Sequence, residues 1–166
     1  LLERMPPLQF GGEMVERVTV EDTRFQPPPY RFEAGTPHFL GAVGFAAAVD
    51  YLGQVGLEQA AREEQTLARA LWEGLRAIPE VELPVAGPPQ AGIVSFSLPP
   101  FHPYDVALLL DQQGVAVRSG THCAHPLFDA LGMPQGVVRA SLGLYNTLED
   151  VERLCRALRR VAAIKL

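Results

Sequence analysis

An α+β or α/β layer, a short sheet flanked by helices, is the fold class this sequence predicts. Three observations lead there. Apolar residues recur at helical spacing over residues 40–53 and 57–77, the period switches to two in "GIVSFSL", and a long amphipathic helical pattern closes the chain. The 166 residues suit one domain or one large piece of a bigger one, and 48% hydrophobic residues is in the globular range.

In order along the chain, residues 1–37 carry "MPP", "GG", "PPP" and "GTP" around the alternating stretch "MVERVTV". That pattern predicts a strand and half of a hairpin in a segment without a core of its own, an arm or linker that packs on something else. Residues 38–166 are expected to form the globular part. From Leu40, the residues Val43, Gly44, Ala47, Ala48 and Tyr51 predict a helix built for close packing, stopped by Gly53 or Gly56. A second helix over 57–77, expected to pair with the first, has Leu67, Leu71, Leu75 and Ile78 on one stripe and ends before Pro79.

In "GIVSFSL", Val94, Phe96 and Leu98 fall on one face and Ile93, Ser95 and Ser97 on the other, as in a half-buried strand. "PYDVALLLDQQG" is a helix with proline in its first turn and Gly114 as its stop. "VAVR" and "VVRASL" read as short strands. "TLEDVERLCRALRRVAAI" is a long helix opened by a Thr147/Asp150 capping box.

The net charge of −5 offers no basic face for a run of phosphates, which argues against nucleic acid as a partner. No apolar run approaches membrane-spanning length and no signal peptide is visible, so a cytoplasmic location is the expectation. Two cysteines do not make a disulfide framework and both are expected reduced. Arginine outnumbers lysine thirteen to one, and the one lysine is Lys165.

Cys155 lies on the apolar stripe Leu148, Val151, Leu154, Cys155, Leu158, where a cysteine is a small filler. Cys123 stands instead in "RSGTHCAHP", a turn-rich stretch where exposure is expected. His122, His125 and Arg118 around it would raise the local positive potential and favour the nucleophilic thiolate. The rival readings are an idle loop cysteine or a metal site. Three candidate ligands crowded into four residues do not match the separated pairs of zinc sites, so no metal is expected.

Arg139 sits among apolar residues in a predicted strand, either as one half of a structural ion pair or as a fork that grips a substrate carboxylate. Arg118 admits the same two readings. In "RFEAGTPHFLG", Gly35 and Thr36 precede a helix, where a hydroxyl and free N–H groups suit a phosphate, although Thr36 equally suits an N-cap.

Taken together, "RFEAGTP", "PYDVALLLDQQGVAVRSGTHCAHP" and "VRASLGLYNTLEDVERL" resemble, in order and spacing, the SUF-type (selenocysteine lyase-like) cysteine desulfurases of the class V aminotransferase group, which use pyridoxal phosphate. The resemblance covers this whole chain and the C-terminal part of the family's chain. It implies the C-terminal small domain of the pyridoxal-phosphate-dependent transferase (aspartate aminotransferase-like) fold, with residues 1–37 as an arm from a large cofactor domain.

The resemblance further implies that Cys123 takes sulfur from L-cysteine as a persulfide, leaving L-alanine, and passes it to an acceptor protein for iron–sulfur cluster assembly. Arg139 would grip the substrate carboxylate, with Arg118 near the nucleophile. Thr36, beside Gly35, would reach the cofactor phosphate of the neighbouring subunit in a homo-oligomer. Thr121 stands where the family often has a histidine. The family's Schiff-base lysine has no counterpart here, and Lys165 matches no family lysine, so the chain alone is expected to be inactive. It reads as a piece of a longer protein or as one chain of a split enzyme completed by an N-terminal cofactor domain or chain. The isolated chain is expected to self-associate through exposed apolar surface. The alternatives are a non-catalytic sulfur-accepting or protein-binding module, or a relative acting on selenocysteine or cysteine sulfinate.

Overall fold

The structure, a computed structural model, describes residues 1–164; Lys165, noted above for matching no family lysine, lies outside the described residues. The chain forms two compact units, residues 1–54 and 55–166. The first unit takes in the arm expected over residues 1–37 and continues through most of the first long helix.

The first unit contains the hairpin that the alternation in "MVERVTV" predicts. Strand β1 (Val15–Val18) pairs antiparallel with β2 (Thr23–Phe25), with Val15 opposite Phe25 and Val18 opposite Thr23. Between them the Thr19 N–H donates to the Asp22 carbonyl at 2.8 Å, and the Asp22 N–H donates to the Thr19 hydroxyl at 2.9 Å. Met14 is the one fully buried apolar side chain of this unit among the described residues, so the unit has no core to speak of. Helix α1 (Phe39–Val55) forms where predicted, but none of its residues is buried. Phe39, Leu40, Val43, Phe45, Val49 and Tyr51 all stay exposed, so the close packing expected from its small residues is not seen.

The second unit is a three-stranded sheet with helices packed on it. Strands β3 (Ile93–Phe96), β4 (Arg118–Gly120) and β5 (Val137–Ser141) are ordered β3-β5-β4, with antiparallel pairing throughout. Helices α2 (Leu57–Arg76), α3 (Pro103–Asp111) and α5 (Leu148–Ala162) supply the core with Leu71, Leu75, Val106, Leu110, Leu154 and Leu158, and the sheet meets them with Val94, Phe96, Val138 and Ala140. Because strand side chains alternate, this placement commits Ser95 and Arg139 to the opposite face.

Local signals explain the helix ends. The Thr147 hydroxyl accepts from the Asp150 N–H, while the Asp150 carboxylate accepts from the Thr147 N–H at 2.9 Å, the reciprocal cap the sequence predicts. That bond, and a second from Asn146, hold the Asp150 carboxyl below its ordinary range. His102 caps α3 and Pro103 opens it; Gly114, at φ 72°, follows its end. Cys155 is buried on the seam between α2 and α5, as the stripe predicts, although Leu148 at the head of that stripe is exposed. A Cβ at Gly74 would come within 2.7 Å of the Cys155 sulfur, so glycine there permits the close approach of the two helices. Burial pushes the Cys155 thiol above its ordinary pKa, keeping it protonated.

Candidate functional site

The site lies on the face of the sheet turned away from the core. Arg139 on the central strand stands directly opposite Ser95 of β3 on one side and Arg118 of β4 on the other. Directly opposed residues on paired strands share a face, and like charges there repel. Neither guanidinium has a carboxylate partner among the described residues, where the salt bridges are Arg24–Glu16, Arg62–Glu58 and Arg156–Glu152. Arg139 is half-buried and its Nε is buried without a hydrogen-bond partner. The ion-pair reading of Arg139 therefore finds no partner. Two guanidinium groups without a counter-ion, one with a buried, unpartnered Nε, offer the kind of donors that a carboxylate or similar anion could accept from.

β4 runs straight into the loop that carries Cys123. Gly120, at φ 111°, ends the strand; His122 and Cys123 then adopt successive left-handed conformations at φ 50° and φ 61°. For residues with a Cβ this region costs of order 1–3 kcal/mol each. The loop is held in it from several sides. The Ala124 N–H donates to the Thr121 carbonyl at 2.8 Å, the Thr121 hydroxyl meets His125 Nε2 at 3.2 Å, and the His122 ring packs tilted against Phe128 with centroids 6.2 Å apart. Helix α4 (His125–Ala130) follows at once, with Pro126 in its first turn. The result is an exposed Cys123 thiol on a constrained turn.

His122 is not the cationic neighbour that the sequence suggests. Its Nε2 is buried without a partner. Burial above all, then the charge of Arg139 and to a smaller degree that of Arg118, hold its pKa below the ordinary histidine value, against an opposing pull from the Val137 backbone. At neutral pH the ring is uncharged, and positive potential at this face comes from the two arginines.

Structure thus brings Arg118, Arg139 and the Cys123 loop onto one sheet. Ser95 and the neutral His122 join them; no motif marks the first, and the sequence suggests the second as a cation or a metal ligand. Gly35 and Thr36 belong to the other unit. Gly35 adopts φ 92° and its N–H donates to the Gly12 carbonyl at 2.9 Å, so that donor is already engaged. Thr36 is exposed and its hydroxyl makes no hydrogen bond among the described residues. It does not cap α1 either: the first helical bond there runs from the Ala42 N–H to the His38 carbonyl.

The second unit is thus a small three-stranded antiparallel sheet whose outer face carries Arg118 and Arg139 and whose strand β4 leads into an exposed Cys123. The chain belongs to the aminotransferase class-V family, whose pattern matches residues 1–154. It is 46% identical over 163 residues to a cysteine desulfurase of Klebsiella pneumoniae, an alignment covering 97% of this chain and 39% of that protein. Among solved structures it is similar to a cysteine desulfurase of Escherichia coli in an S-sulfonic acid form, with TM-score 0.87 and 34% identity over 96% of this chain and 39% of that one. It is also similar to the apo cysteine desulfurase of Thermococcus onnurineus NA1, with TM-score 0.85 and 41% identity over 94% of this chain and 39% of that one. The chain therefore spans about two fifths of the length of these relatives, and its fold is that of their matching part.

Proposed function

We propose that this chain carries the sulfur-accepting thiol and the substrate clamp of a pyridoxal-phosphate-dependent cysteine desulfurase. The observation that carries the reading is the cross-strand pair Arg118 and Arg139, without carboxylate partners among the described residues, with Arg118 on the strand that leads directly into an exposed Cys123. Its support comes from relatives named for that activity over nearly the whole of this chain.

The donor set fits one end of such a site. Two guanidinium groups suit the carboxylate of L-cysteine and a thiol suits its sulfur, while residues 1–164 contain no lysine for covalent attachment of the cofactor. When bound, pyridoxal phosphate supplies a sink for the electrons released at the substrate carbon. The chain's own groups do the rest. Arg139, with an Nε already stripped of water, donates a charge-assisted hydrogen bond to one carboxylate oxygen, and Arg118 across the strand pair donates to the other. So held, the substrate presents its sulfur to Cys123. The thiolate attacks that sulfur, a new S–S bond forms and the substrate C–S bond breaks. The electron pair of that bond stays with carbon, which takes up a proton and leaves as alanine, while Cys123 retains the sulfur as a persulfide.

An exposed persulfide on a turn is open to a second thiol, and transfer to an acceptor protein for iron–sulfur cluster assembly completes this reading. The SUF-type subdivision, the homo-oligomer and a role for Thr36 at a partner's cofactor phosphate are part of the same proposal. The test is alanine release from L-cysteine by the cofactor-loaded protein, with persulfide on Cys123 followed by mass spectrometry. Cys123→Ala is expected to lose both. Undiminished alanine release in that variant would refute the assignment, and faster turnover of selenocysteine or cysteine sulfinate would redirect it to those substrates.

A further inference from the structure

The turn that precedes β5 contains two glycines in left-handed conformations, Gly132 at φ 70° and Gly136 at φ 75°. Their surroundings differ. A Cβ at Gly132 would meet nothing within 4 Å, whereas a Cβ at Gly136 would collide with the carbonyl carbon and oxygen of Gly120 and come 2.6 Å from the Thr121 nitrogen. All three atoms belong to backbone and cannot rotate aside. We infer that Gly136 is a positioning residue for Cys123, the bare spot in the turn across which the Gly120–Thr121 backbone is laid, an inference that rests on the sulfur-accepting reading of Cys123.

The path from this contact to the thiol is short. Thr121 is the acceptor for the Ala124 N–H, the bond that closes the turn around His122 and Cys123. Any group at 136 that lifts the Thr121 nitrogen lifts that turn. The arginine pair stands apart from the disturbance: Gly120 is paired with Val137, and Arg118 with Arg139 lies two residues further along the ladder, anchored by core neighbours Val138 and Ala140. Gly136 thus governs where the thiol sits and leaves the carboxylate clamp in place.

That separation is the basis of the experiment, done in the cofactor-loaded protein as its natural host makes it. Gly136→Ala is compared with Gly132→Ala, which carries the same backbone penalty without the collision. Steady-state rates with L-cysteine and the pH profile of Cys123 alkylation by iodoacetamide are read for both. Gly136→Ala is expected to lower kcat by about 10²-fold, as a nucleophile displaced by about an ångström does, with KM nearly unchanged. It is also expected to alter the Cys123 alkylation profile, while Gly132→Ala does neither. Equal behaviour of the two variants overturns the inference. Should Gly136→Ala not fold, hydrogen exchange of the parent protein decides: slow exchange of the Ala124 amide supports a seated turn, and exchange at the rate of an open loop overturns it. Unchanged alanine release in Cys123→Ala would remove the sulfur-transfer reading alone, with the alkylation contrast still judging Gly136.

Discussion

The two cysteines of this chain sit in opposite worlds. Cys155 lies in the α2–α5 seam, 5% exposed, with its thiol pushed towards the neutral form by burial; Cys123 stands in the open on a turn whose backbone is forced into an uncommon conformation. In the seam, side-chain volume decides everything, down to the missing Cβ of Gly74 against the Cys155 sulfur. On the turn, backbone placement and the charges of the neighbouring strands decide. A residue type thus states little about its work until its surroundings are known.

The largest expected effect breaks the comparison at its active end. Replacing Cys123 by Ser should bring alanine release and persulfide formation to background, whereas Cys155→Ala should keep both, as steady-state assays will show. Next comes the clamp: Arg139→Met should cost about 1.5–3 kcal/mol of substrate recognition, a tenfold to 150-fold loss in kcat/KM. With no ion pair lost, it should leave the melting temperature unchanged or raised. In the seam, Gly74→Ala should destabilise the fold by about 1–3 kcal/mol through overpacking. Adding Cys155→Ala should recover part of that loss, and a double-mutant cycle in urea measures the coupling.

Smaller still, Thr147→Ala should remove about 1 kcal/mol by opening the cap of α5. The least effect concerns His122. Because its folded pKa lies below the ordinary value, the unfolded chain takes up more protons there. Stability is therefore complete above about pH 6.5 and declines as pH falls through that value towards the folded pKa. His122→Phe should flatten this part of the stability profile.

Much of the fold was legible because periodicity and punctuation coincide in it. The capping box at Thr147, the proline opening α3 and the alternation of Val94, Phe96 and Leu98 each state a boundary or a face in a few residues. The apolar alternation in "VAVR" predicts β4 earlier than it forms. Val115 and Val117 pack against the core, but pairing begins only at Arg118, where the chain comes opposite β5. α4 gives little sequence signal, because its proline and histidine resemble turn residues, although proline is at home in a first helical turn. At the site, the motifs mark Cys123, Arg118 and Arg139 as candidates, and the strand that carries Arg118 leads into the Cys123 turn. The register that sets Arg118 opposite Arg139, the left-handed turn and the uncharged His122 could not be read from those motifs, since each depends on contacts between different elements of the fold.

The middle strand of the sheet has a double duty. Val138 and Ala140 point into oil while Arg139 between them points out, so sliding the strand by one step would drive a guanidinium into the interior and expel two aliphatic groups. The hydrophobic interior thereby acts as a gauge for the recognition surface. Any fold-competent version of this domain presents the Arg139 side chain on the same outer face.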